Sequence, residues 1–290
     1  MAIFLLTVFC IACYTGQTFL NRMFSESYAG RAEIASPVFS CFYGILVGLI
    51  TFILNGARFS PSGLTIILGA LNGVILFLYN LGMVHAARCG PYTFQSIVML
   101  FGAIVVCLLF SWLFWGDHIS ILQFVGIAVM LCAFVVLNSQ GLSFVNVKRG
   151  YFPWVISLFF TNGFYGVLMD AQQRIVPEER NEMIIATYLS LAALSLLFLA
   201  LKKADLRVAF GMKWKPAVFA ILSSTCAAFA VYSLMIQLKY VPSYIAFTIN
   251  NGSILVLSAV LSAVVLKEKL SCSTVVGIGL SIISIVLLSL

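Results

Sequence analysis

Charged residues divide this chain into ten long charge-free runs, at 1–21, 34–57, 59–87, 89–116, 118–147, 150–169, 183–201, 216–238, 240–266 and 270–290. The shortest, 183–201, still has 19 residues. A helix that crosses the roughly 30 Å hydrocarbon layer needs about 20 mostly apolar residues, so each run can hold one span. Strands of a membrane barrel would instead alternate over segments of about ten residues, whereas these runs are apolar on every face. The fold class expected is therefore an all-α integral membrane protein with ten transmembrane helices. Composition agrees: 9% of the 290 residues are charged, where a soluble domain carries about 25%.

The first run has no basic leader and is followed by nine others, so it is expected to stay as an anchor. The net charge of +7 comes from basic residues lying in the gaps between runs. That placement points to lipid headgroups as partners and away from nucleic acid. The eight cysteines are scattered through apolar runs, and only Cys10 and Cys13 have a paired spacing. With no histidine beside them, they read as buried thiols, and neither a metal site nor a cofactor is expected.

The stretch WGDHISILQFVGI at 115–127 is echoed by LKEKLSCSTVVGI at 266–278. Other landmarks keep the same offset of 151 residues: Arg88 with Lys239, Pro91 with Pro242, Ser120 with Ser271, Gly126 with Gly277, and Tyr14 with Tyr165. The chain thus reads as two copies of a five-helix unit, 1–147 and 150–290, forming one compact transmembrane domain and joined by Asn146-Val147-Lys148-Arg149-Gly150. Because five is odd, each helix and its counterpart must cross the membrane in opposite directions. An inverted repeat of this kind is typical of secondary transporters.

Pro91 and Pro242 are expected to open helices, where a missing N–H costs nothing. Gly44-xxx-Gly48 and Gly69-xxx-Gly73 are expected to let neighbouring helices approach closely. Of 16 Lys and Arg, 12 fall in odd-numbered gaps, which by the positive-inside rule places both termini outside.

These residues resemble the drug/metabolite transporter superfamily, specifically its ten-helix EamA-like permeases. The resemblance covers the whole chain and is most specific at the two corners, Gly116-Asp117 with Ser120 and Gly126, and Glu268 with Ser271 and Gly277. The family often has a proline where this chain has Gly102 and Ser253, and a Trp-Gly pair where it has Tyr14-Thr15-Gly16. The resemblance implies a multi-pass permease or exporter, in a bacterial inner membrane, with both termini in the cytoplasm. It also implies a central cavity lined by helices that include the third, sixth, eighth and ninth.

Polar side chains at mid-membrane are costly unless they pair or face a cavity. Asn72, Thr161, Asn162, Thr225, Asn250 and Asn251 lie near the midpoints of their runs. The adjacent pair Asn250-Asn251 is the sharpest signal, because its repeat counterparts are Met99 and Leu100. Tyr14, Tyr79, Tyr165 and Tyr232 would add aromatic walls carrying a hydroxyl. These eight residues, the four asparagines Asn72, Asn162, Asn250 and Asn251 with the four tyrosines, form the expected substrate site; Gln17, Asn80 and Gln95 are lesser candidates.

No carboxylate lies near a run midpoint, with Asp170 and Glu33 at run ends, so selection for cations and proton antiport through such an acid are disfavoured. No central Lys or Arg is present to hold phosphate. Asp117 and Glu268 fit the positive ends of the helices that follow them. His85 and His118 lie near span ends and read as interface residues. The expected function is an alternating-access permease for a small neutral or zwitterionic metabolite such as an amino acid. The alternatives are a channel or scaffold and, behind them, a lipid-acting membrane enzyme, which no catalytic cluster supports.

Overall fold

The computed structural model describes residues 2–28, 32–139, 147–204, 210–265 and 272–289. Within them lie ten helices: α1 (Ala2–Ser27), α2 (Ala32–Leu54), α3 (Gly63–Cys89), α4 (Tyr92–Phe110), α5 (Ile121–Leu137), α6 (Tyr151–Ile175), α7 (Arg180–Leu201), α8 (Trp214–Gln237), α9 (Ser243–Val265) and α10 (Cys272–Ser289). Seven are long and apolar enough to cross a membrane; α5, α9 and α10 present shorter apolar stretches, Ile121–Leu137, Ser243–Leu257 and Cys272–Leu288. Among the described residues no strand occurs. The half of the second corner that carries Glu268 and Ser271, and Asn146 of the joining turn, lie outside the described residues.

Helix ends follow local chemistry. Pro91 precedes α4 with φ −69°, and Pro242 precedes α9, as a residue without an N–H should. After α4 the chain makes one π turn, Ser111–Trp115, closed by Gly116 in the left-handed conformation at φ 66°. Ser120 then caps α5 by accepting from the Gln123 N–H, while Gln123 Oε1 accepts from the Ser120 N–H, a full capping box. Capping is thus the work of Ser120, and Asp117 stands three residues outside the cap.

Large apolar side chains face outward, and polar side chains join apolar ones inside. Phe4, Leu113, Phe114, Ile121 and Trp214 are exposed, whereas Thr15, Ser40, Thr51, Asn72, Gln95 and Gln172 are buried. Apolar side chains turned outward suit a hydrocarbon solvent, and small or polar ones turned inward suit helix contacts made there.

The helices form two compact units, each drawing on both halves of the sequence. The first comprises Met1–Val84 and Leu168–Lys239. Here α1 lies antiparallel on α8, tied by Gln237 to Thr7 at 3.0 Å, Cys10 to the Ala230 carbonyl at 3.4 Å, and Ser223 to Asn21. α2 lies antiparallel on α7: Gly44 faces Tyr188 and Ala192, Gly48 faces Leu189 and Ile185, and Asn55 bonds Glu182. Gly69 and Gly73 of α3 press on Ala186, Thr187 and Ser190 of the same α7. Both small-residue pairs therefore serve packing, with α7 as their common partner.

The second unit comprises His85–Val167 and Tyr240–Leu290. α5 lies antiparallel on α10, with Gly126 against Leu287 and Leu288, and Gly277 against Leu137. α4 meets α9 at Ser111 and Ser243, whose hydroxyls are 3.2 Å apart. Gly102 leaves room for the Phe159 carbonyl of α6, so this position is a point of backbone contact.

Candidate functional site

In the first unit, Asn72 sits one residue before Gly73, at the place where α3 touches α7. Its side chain is 1% exposed, and its Oδ1 accepts no hydrogen bond among the described residues. Such an acceptor, desolvated and unfilled, is costly unless something visits it. Tyr14 and Tyr79 are half-buried on α1 and α3. Beside Tyr79, Asn80 donates to Ser40 Oγ at 2.9 Å, which makes it a link between α3 and α2. Tyr232 of α8 is half-buried beneath the Arg180 guanidinium, whose carbon lies 5.8 Å from the ring centroid.

Gln17, a lesser candidate, proves to be the end of a chain of hydroxyls. Its Nε2 donates to Tyr43 Oη at 2.9 Å, and Tyr43 Oη lies 3.5 Å from Tyr188 Oη. Tyr43 and Tyr188 are both buried and were not among the expected residues. The available signal was a tyrosine in the middle of an apolar run, away from the interface where tyrosines normally reside.

In the second unit, Asn162 donates from Nδ2 to the Met99 carbonyl at 2.9 Å, beside the close approaches at Gly102 and Gly163. Its amide hydrogen is committed to holding α6 on α4. Tyr165 is half-buried on the same helix. Asn250 is buried and Asn251 half-buried on α9, with Asn251 Nδ2 shielded from solvent and donating no hydrogen bond. The next residue, Gly252, admits the Met130 side chain of α5. His85 stacks on Trp154 at 4.7 Å, and none of the eight cysteines is in a disulfide. Of the eight expected site residues, Tyr14, Asn72, Tyr79 and Tyr232 thus belong to the first unit, and Asn162, Tyr165, Asn250 and Asn251 to the second.

One expectation is corrected. Asp170 does not mark the end of α6; the helix continues to Ile175, and the carboxylate is 2% exposed. Arg174, one turn on and itself exposed, pairs with it at 3.1 Å, and that pairing lets the helix bury the carboxylate. Around it lies a polar layer that sequence reasoning missed: Gln172 bonds Thr65 Oγ1 at 3.0 Å, Ser62 donates to Glu179 at 2.8 Å, and Asn55 bonds Glu182 at 2.9 Å. Gln173 is 4% exposed, and neither polar atom of its amide has a hydrogen-bond partner among the described residues.

The sequence profile of the EamA-like transporter family matches residues 151–290. A crystal structure of a protein superposes with a TM-score of 0.76 over 99% of this chain and 96% of that one, at 17% identity, a likeness of fold alone. No curated protein matches the chain.

Proposed function

We propose that the chain, whose residues 151–290 match the EamA-like transporter family of the drug/metabolite transporter superfamily, is a membrane transporter of small molecules that works by alternating access. The observation that carries this reading is a reciprocal contact. Gly126 faces Leu288 while Gly277 faces Leu137, and both members of the second contact are displaced by 151 residues from their equivalents in the first. A two-fold axis in the membrane plane relates such pairs naturally. The antiparallel packing of α2 on α7 and of α5 on α10 supports it, since each of those pairs joins a helix to its own repeat counterpart. Two units that share a fold with opposite orientation can exchange conformations, which is how one protein opens to either side in turn. On this reading 1–147 and 150–290 are the repeats.

The solute we propose is small and neutral or zwitterionic, such as an amino acid, held near the midplane at the repeat interface. Support comes from amides seated deep in their helices, above all Asn72 with its unfilled acceptor and the pair Asn250 and Asn251. Tyr14, Tyr79, Tyr165 and Tyr232 would supply the walls, and Asn162 its remaining carbonyl oxygen. A bacterial inner membrane is the compartment we propose. The test is counterflow in liposomes: protein preloaded with unlabelled amino acids should exchange them for a labelled panel, saturably. Asn251→Leu should abolish exchange at normal folded yield. Non-saturable flux would indicate a channel, and no flux with any panel member would end the carrier reading.

A further inference from the structure

Three carboxylates lie in the polar layer of the first unit, and two of them are satisfied. Asp170 faces Arg174, and Glu179 Oε2 accepts from both the N–H and the hydroxyl of Ser62, each at 2.8 Å. Glu182 differs. It is 8% exposed, Oε1 accepts one bond from Asn55 at 2.9 Å, and Oε2 is shut off from solvent with no hydrogen bond among the described residues. Glu182 forms no ion pair among the described residues.

The charged groups around it are accounted for element by element. α2 and the stretch of α3 within this unit, 63–84, carry none beyond Glu33 at the far end of α2. Arg58, after α2, is exposed, and only its carbonyl joins the site, accepting from Asn55 at 2.8 Å. Asp170 and Arg174 of α6 pair with each other, Glu178 is exposed, and Arg180 lies over Tyr232 of α8.

Two further oxygens are unfilled here. Asn181 donates to Asn55 Oδ1 at 2.9 Å, leaving its own Oδ1 buried and without a partner. Thr51 lies on α2 between Gly48, which faces Ile185, and Asn55, which bonds Glu182, so it occupies the same level of the α2 and α7 contact. It is 0% exposed, and its hydroxyl makes no hydrogen bond among the described residues. Thr7, Thr15, Thr18, Thr225 and Thr248 all turn their hydroxyls back to the carbonyl four residues earlier; Thr51 does not. Asn55 is meanwhile locked, with both amide hydrogens and its oxygen engaged.

We propose that Glu182 Oε2, Thr51 Oγ1 and Asn181 Oδ1 form a binding site for one small monovalent cation, a sodium ion or a proton. A buried carboxylate with no positive partner demands a compensating charge. An all-oxygen donor set of carboxylate, hydroxyl and amide suits a hard cation and not a transition metal. A proton would sit on Oε2 and be donated to one of the same oxygens. That occupancy of this site drives solute movement rests on the carrier reading above; cation binding itself does not.

The test uses purified full-length protein in detergent, in sodium chloride or choline chloride of equal ionic strength, with infrared spectra recorded in parallel. For sodium, the wild type melts several degrees higher in sodium than in choline. That increment vanishes in Glu182→Gln, shrinks in Thr51→Val and persists in Glu179→Gln. For a proton, the infrared spectrum contains a protonated-carboxyl stretch that Glu182→Gln removes and Glu179→Gln keeps, with no response to sodium. A wild type that shows neither the sodium increment nor a protonated carboxyl overturns the proposal, and this holds even where a variant fails to fold. In liposomes, Glu182→Gln should keep counterflow of labelled neutral amino acids but lose accumulation driven by the matching cation gradient. Absent counterflow in the wild type would strike the carrier reading and leave the cation site standing on the detergent result.

Discussion

Gly44 and Gly48 look alike in sequence, one turn apart on one face of α2, yet the structure gives them different burdens. A methyl group added at Gly44 would stand 2.9 Å from Ala192 Cβ and 3.0 Å from the Ala192 nitrogen, and closer still to the Tyr188 carbonyl. Ordinary contact begins at 3.4 Å, so α2 and α7 would have to part by about half an ångström or more along a packed seam. Overpacking of this kind costs about 1–3 kcal/mol. At Gly48 the nearest atom is the flexible end of Leu189, at 3.4 Å, and nothing must move. Alanine is also a better helix former than glycine by roughly 0.5–1 kcal/mol, but that gain is common to both positions and cancels in the comparison. Gly44→Ala should therefore be less stable than Gly48→Ala by about 1–3 kcal/mol, with Gly48→Ala no worse than the wild type. At roughly 2–4 °C per kcal/mol the two melting temperatures in detergent should differ by several degrees. Equal melting temperatures, or a lower one for Gly48→Ala, would refute the geometry assigned to the α2 and α7 seam.

Three other outcomes follow from the same contacts. In a cysteine-free background, Gly126→Cys with Leu288→Cys and Gly277→Cys with Leu137→Cys should both cross-link under mild oxidant, since disulfides form only where Cα atoms lie within about 7 Å; one pair linking without the other would count against the two-fold relation. Asn162→Leu should lower stability by about 0.6–1 kcal/mol through loss of the bond to the Met99 carbonyl, read as a small fall in melting temperature, and should also weaken labelled amino-acid exchange, because the carbonyl oxygen assigned to the solute is lost with it. Gly116→Ala should cost about 1–2 kcal/mol, because φ 66° is left-handed backbone that an L side chain resists, and a Gly116→Ala protein as stable as wild type would show that the corner relaxes freely.

Much of this architecture was written in the sequence because the membrane leaves little choice. A charge-free run of about 20 residues has no alternative to a helix once it is in lipid, and Pro91, Pro242 and the glycine pairs mark where such helices begin and touch. What could not be read was partnership. Nothing local in Gly44 or Gly69 says that both will meet α7, because that depends on which helix the rest of the bundle brings there. Nor did Tyr43 and Tyr188 announce themselves, since a tyrosine in an apolar run looks like any other large side chain until the second hydroxyl is seen 3.5 Å away.

The polar layer was hidden for a more instructive reason. Spans were delimited by their charged residues, and a boundary drawn at every Asp, Glu, Lys and Arg can never place one of them inside a helix. Real helices are not obliged to stop at a charge that is compensated. α6 runs five residues beyond Asp170 because Arg174 lies one turn on, and α7 begins at Arg180, before Glu182, with Asn55 meeting the carboxylate from the side. The same reasoning separates the two acids. Asp170 carries its compensation on its own helix, i to i+4, and so is explained by folding alone. Glu182 lies in the first turn of α7, whose positive end favours an acid, yet only one amide hydrogen, from Asn55, reaches it, and Oε2 accepts no hydrogen bond among the described residues. The sequence argument that disfavoured a cation rested on the absence of acids near span midpoints. The cation site proposed at the α2 and α7 seam lies outside its reach, because burial there is set by the helix packed alongside and not by distance from the middle of a run.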